Sequence, residues 1–116
     1  MPLKQKQYVH SAHIYNRTSH SINLKIFYCG ESQHHEHEII RMNNLEPNGG
    51  HYFAETRAYA DAHRITDKHI YKIQAEISDG KILELKWPYQ GLFEIHEKDW
   101  QFDIEENDIK SINPRM

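Results

Sequence analysis

The sequence predicts an all-β fold, an antiparallel β-sandwich of about seven or eight short strands with one short helical turn. Three observations predict it. Apolar residues recur at every second position over several short runs, the period of a half-buried strand. Turn-forming clusters, above all Glu46-Pro47-Asn48-Gly49-Gly50 and Asp79-Gly80, separate those runs at hairpin spacing. No long stretch carries the 3.6-residue period of an amphipathic helix. At 116 residues the chain is expected to be one domain, residues 1–116, with loose polar termini at about residues 1–6 and 106–116.

Residues 8–15 read as a first strand, with Asn16-Arg17-Thr18-Ser19 as its turn. Ile22, Leu24, Ile26 and Tyr28 alternate with Asn23, Lys25 and Phe27, a second strand with one wetter face. Glu38–Leu45 is a third strand, ended by the Pro47 cluster. Residues 54–64 are ambiguous, since their alanines suit a helix while small residues at alternate positions suit a strand. The expectation is a strand that gives way to a loop or helical turn near Asp61.

The hairpin around Asp79-Gly80 is the most informative piece. A two-residue turn would set the two apolar rows on opposite faces. A three-residue loop with Gly80 left-handed pairs Ala75 with Leu83, Ile73 with Leu85 and Tyr71 with Trp87, giving one apolar face. That register is the expected one. Residues 92–95 and Trp100–Ile104 form a final expected pair, and residues 105–116 read as loose. The breaks at Asn16, Pro47 and Asp67 read as crossings between two sheets.

Composition excludes several function classes. A formal charge of −3 and a pI near 6.3, with no basic run, argue against a nucleic-acid partner. No apolar stretch has the length of a membrane span. One cysteine, Cys29, rules out an internal disulfide framework and favours a cytoplasmic protein, or a secreted one if a leader peptide is removed. Asn16-Arg17-Thr18 fits the glycosylation pattern, a short pattern that arises often by chance.

Ten histidines are the strongest chemical signal, densest in His34-His35-Glu36-His37-Glu38. On a strand His35 and His37 share a face, the geometry of a metal site that takes a third ligand from a neighbouring strand. His51 is the candidate third ligand, with His10 and His13 as alternates. Against this, the cluster follows a turn-like stretch, and a solvated loop is the preferred reading. No cofactor is then expected, a divalent metal such as zinc being the alternative. Exposed histidines would leave stability flat from pH 8 to pH 5, which is the expected behaviour. Cys29 reads as a small buried hydrophobe. No phosphate loop, nucleophile elbow or paired Cys-x-x-Cys occurs, so no catalytic residue is assigned.

Thirteen aromatics exceed what the apolar rows need, and Trp87, Tyr89 and Phe93 crowd around Pro88 and Gly91. Pro88 cannot donate to a ladder, so this segment reads as an edge or crossing; Trp87 and Phe93 read first as closing one end of the core, with Trp87, Tyr89 and Phe93 as a binding rim the alternative, and Tyr89 is expected to be the most exposed. The expected function is a non-enzymatic module whose partner is another protein, such as an inhibitor or immunity-type protein. A metal-binding protein or metal-dependent enzyme, and a carbohydrate- or lipid-binding sandwich, are the alternatives.

Overall fold

The structure is a computed structural model, which describes residues 7–30, 38–60, 65–77, 80–92 and 96–115. In chain order its strands are β1 (Tyr8–Val9), β2 (Ala12–Asn16), β3 (Ile22–Cys29), β4 (Glu38–Leu45), β5 (Gly50–Ala54), β6 (Ala58–Ala60), β7 (Ile65–Asp67), β8 (His69–Ile77), β9 (Ile82–Lys86), β10 (His96–Glu97), β11 (Trp100–Ile104) and β12 (Ile109–Ile112). No helix occurs among the described residues, and the helical turn expected near Asp61 lies outside them.

Two four-stranded sheets hold eight of these strands. One runs β12-β11-β2-β5 and the other β4-β3-β8-β9. The β6–β7 ribbon and the two-residue β1–β10 pair are additions that the sequence did not reveal. The chain changes sheet at Asn16 and at Pro47, as expected, while the break at Asp67 joins the ribbon to β8.

Pairing is mostly antiparallel, but β11 lies parallel to β2 and β10 parallel to β1. The expected pairing of residues 92–95 with β11 is therefore replaced. Residues 93–95 lie outside the described residues, and β11 is flanked by β2 and β12. Parallel neighbours need a long connection, and here nearly the whole chain separates them. The tail expected to be loose supplies β12, whose Ile109 is buried against the core.

Alternation decides which side chains enter that core. Ile22, Leu24, Ile26 and Tyr28 point inward from β3, and Ala12 and Ile14 from β2. They meet Trp100, Phe102 and Ile104 of β11 and Ile70, Ile73, Ala75 and Ile77 of β8 in one cluster. Each fully buried aliphatic or aromatic side chain contributes roughly 1.5–3 kcal/mol over its exposed state.

The β8–β9 hairpin has the expected register, Ala75 opposite Leu83 and Ile73 opposite Leu85, with Gly80 at a φ of 87°. Trp87 N–H donates to Tyr71 O at 2.8 Å, continuing the ladder. Tyr71 itself departs from expectation. The β3–β8 register shifts between Phe27 and Tyr28, so that Ile70 faces Tyr28 and takes the core position. Tyr71 is left half-buried against Phe27, ring centroids 5.9 Å apart. A bulge adds one residue and so reverses the facing of everything beyond it.

Candidate binding face

The outer face of β2 and β5 gathers the most unusual side chains of the described surface. Inward positions of β2 are Ala12, Ile14 and Asn16, so His13 and Tyr15 point out. Antiparallel pairing sets His13 opposite Phe53 and Tyr15 opposite His51. Directly opposed side chains interact across the strands. The His13 and Phe53 rings lie 4.7 Å apart and the Tyr15 and His51 rings 4.8 Å apart, the latter stacked. Arg17 extends the row, its guanidinium 4.6 Å from the Tyr15 ring centre.

The diagonal pair joins the two halves. His13 Nδ1 and His51 Nε2 are 2.7 Å apart and the ring centroids 4.9 Å apart. Nitrogens come that close at that centroid distance only by lying almost on the line between the ring centres. The bond is therefore head-on and lies in both ring planes. One ring must donate and the other accept. Phe53 is 40% exposed and His51 is exposed, so the row faces solvent.

Asn16 fixes the end of this row from below. It is wholly buried, and its Nδ2 donates to His20 O and Leu45 O at 2.8 and 3.0 Å. Its Oδ1 accepts from Thr18 N–H and Thr18 Oγ1 at 3.0 and 2.7 Å. All its hydrogen-bonding capacity is committed, so the glycosylation pattern at Asn16 offers no free amide in this fold. The side chain ties the β2–β3 crossing to the end of β4, and the turn after it carries Arg17.

A second group of polar residues lies inside. Cys29 Sγ and His69 Nε2 are 3.3 Å apart, with the residues 3% and 1% exposed. Burial lowers the His69 pKa from 6.5 to about 4; the nearby His10 adds to that, while the Ile70 main chain opposes it. Burial likewise raises the Cys29 pKa. A low imidazole and a high thiol make this a neutral pair, the reverse of the thiolate–imidazolium needed for nucleophilic attack. Tyr8 packs edge-on against His69 at 4.6 Å and stacks on Trp87 at 5.6 Å, which covers the pair. Cys29 thus occupies the buried position expected of it.

The residues singled out in the sequence scatter. His35 and His37 lie outside the described residues, and His51 is bonded to His13. His10 is buried, its Nδ1 2.8 Å from Lys68 O. Among the described residues no group of three or more His, Cys, Asp or Glu is placed to hold a metal ion. Tyr89, expected to be exposed, is 6% exposed, donates to Ile70 O at 3.0 Å and meets Phe102 edge-on at 4.9 Å. Its hydroxyl finds a partner inside and its ring fills the core. Trp87 is half-buried with its Nε1–H on Gln7 O, and Phe93 lies outside the described residues. The described part of the expected aromatic rim is therefore core and core lid.

No family model matches the chain, and no curated protein matches it in sequence. An NMR structure of a protein from Eubacterium rectale aligns over 98% of this chain and 95% of its own, with a TM-score of 0.46 and 13% identity. No helix among the described residues is long and apolar enough to cross a membrane.

Proposed function

We propose that the chain is a non-enzymatic protein-binding module, a β-sandwich in its layering, that meets its partner with the outer face of β2 and β5. The observation that carries this is the outward-facing row Phe53, His13, His51, Tyr15 and Arg17, in which His13 and Tyr15 are half-buried and the others exposed. Aromatic residues and arginine are the types enriched where interfaces concentrate their energy. Rigid strands hold the row, so little side-chain entropy remains to be lost on binding. An inhibitor or immunity-type role is one form of such a module.

The carbohydrate alternative is less favoured. A sugar stacks on an open aromatic face, whereas the Tyr15 ring is engaged by both His51 and Arg17. Of the metal alternative's three residues, His35 and His37 lie outside the described residues, and His51 is bonded to His13.

Capture of cell proteins by three immobilised forms tests the reading. The forms are wild type, His13→Ala/His51→Ser/Phe53→Ser, and a control bearing Lys25→Gln on the outer face of the other sheet. Proteins retained by wild type and control but lost from the triple variant support it. Identical retention by all three refutes it.

A further inference from the structure

The outer face of the other sheet, β4-β3-β8-β9, holds a cavity. A regular sheet face is too flat to form one, but here β4 has an extra residue opposite the Ile22–Leu24 stretch of β3. Asn44 sits in that bulge with a φ of 60°. A bulge bends its strand and re-aims the side chains around it. Asn23 Oδ1 accepts from Asn44 N–H at 2.9 Å and holds the bend in place. The cavity beside it measures about 220 Å³ and is lined by Asn23, Lys25, Arg41, Asn43, Gln74 and Glu76. That is below the roughly 300–1,000 Å³ of sites for drug-sized ligands, so it suits one small molecule.

The cations in this cavity are unanswered. Lys25 and Arg41 lie directly opposite each other on β3 and β4, and like charges so placed repel. Neither has an ion-pair partner among the described residues. The same sheet shows how such a pair is satisfied. Lys72 and Lys86 are opposed on β8 and β9, and the single carboxylate of Glu84 lies 3.5 Å from each. Lys25 and Arg41 lack that oxyanion. Outward positions of this sheet hold four cations, Lys25, Arg41, Lys72 and Lys86, against Glu76 and Glu84, in a chain that carries −3.

The other lining groups form hydrogen bonds. Asn43, Glu76 and the Nδ2 of Asn23 have no partner among the described residues. Glu76 is opposite Asn23, two residues along from the Lys25 row, or roughly 6.5–7 Å. A carboxylate there repels a bare anion but accepts strongly from hydroxyl groups.

We propose that this cavity binds a small hydroxylated anion, a phosphate monoester or a hydroxycarboxylate. Its oxyanion bridges Lys25 and Arg41, and its hydroxyls donate to Glu76 and accept from Asn23 and Asn43. No stacking ring is needed, because charge and hydrogen bonds hold the ligand.

The test titrates the ¹⁵N-labelled chain with glycerol 3-phosphate, glycerate, inorganic phosphate and glycerol. Main-chain amides of Lys25, Arg41, Asn43 and Asn44 are read. Glycerol 3-phosphate or glycerate is expected to shift them and to leave β2 and β5 unmoved, the tighter of the two telling a phosphate monoester from a hydroxycarboxylate. Its affinity should exceed that of inorganic phosphate about fivefold, the size of one good hydrogen bond. Lys25→Gln and Arg41→Gln should each weaken it about fivefold, the size of one partly exposed charge contact. Glu76→Gln should weaken the hydroxylated anion yet tighten inorganic phosphate, a crossing that loss of the fold cannot produce. No shift with either compound, an affinity no higher than that of inorganic phosphate or glycerol, or unchanged binding by Arg41→Gln would overturn the inference. Lys25→Gln leaves the β2–β5 face intact, so failure of this site and failure of the protein-binding face are told apart.

Discussion

Acidification should destabilise this protein through His69, and the size of the loss can be worked from its burial. In the unfolded chain the imidazole protonates around 6.5, but in the fold it resists protonation until about 4. Above pH 6.5 both states are neutral there and the fold keeps its full stability. Below it the unfolded chain binds a proton that the fold rejects, so stability falls until pH reaches about 4. At about 1.4 kcal/mol per pH unit, that interval corresponds to about 3 kcal/mol, of which about 2 kcal/mol is lost between pH 6.5 and pH 5. Glu38 does not confuse this window. The Arg57 hydrogen bond, with help from Lys68, lowers its pKa, so its contribution is lost only at still lower pH. The assay is urea denaturation at pH 8, 7, 6 and 5 for wild type and His69→Leu, an apolar replacement among Tyr8, Trp87 and Cys29. Wild type should lose about 2 kcal/mol more than the variant across the window. Parallel curves would show that His69 is not held neutral by burial, and would restore the flat profile expected from solvent-exposed histidines.

Other perturbations separate the local devices of the fold. Asn16→Ala should cost about 3 kcal/mol, because several buried main-chain groups lose their partner at once; a denaturant midpoint within 1 kcal/mol of wild type, on the order of an ordinary surface change, would contradict that. Gly80→Ala should cost roughly 1 kcal/mol, since its φ is positive and nothing lies near the added carbon. Gly50→Ala should cost more, about 2–3 kcal/mol, because its Cβ would run into the Glu46 carbonyl, which is main chain; the reverse order in thermal melts would refute the reasoning. Arg115→Ala should cost about 2 kcal/mol by stranding the carboxylate of Glu97, 1% exposed and held by Arg115 Nη2 at 2.7 Å from both oxygens. Adding Glu97→Gln to that variant should recover part of the loss, and a double variant less stable than the single one argues against a stranded charge.

What the sequence made legible was local. β3, β4 and the β8–β9 hairpin follow from alternation and one glycine, signals contained within some twenty residues or fewer. The bulge at Tyr71 left no mark, because Ile70 and Tyr71 are both apolar enough for either face. β12 was missed since Ile109 and Ile112 fall out of phase in a polar tail, and only β11 beside it makes Ile109 a core residue. The candidate binding face was half visible. His13 and Tyr15 on one strand, and His51 and Phe53 on another, each alternate with inward residues. That these strands are neighbours is a tertiary fact, and without it His51 suggested a metal ligand and not a partner for His13. Tyr89 was misjudged because Pro88 marks a ladder break, and a break in pairing says nothing about where the next ring points.

The parallel union of β2 and β11 has a consequence for how the molecule comes into being. β2 lies in the interior of its sheet, yet one of its two neighbours is made long after it. A chain emerging from the ribosome can form the β3–β4 and β8–β9 pairings while β2 still shows a bare edge with Ile14 uncovered. Only when Trp100, Phe102 and Ile104 arrive is that edge sealed and the core filled from its second side. Non-local pairing of this kind slows folding and lengthens the life of aggregation-prone intermediates. A fragment ending before residue 100 is expected to leave β2 without its parallel neighbour and the core open on one side.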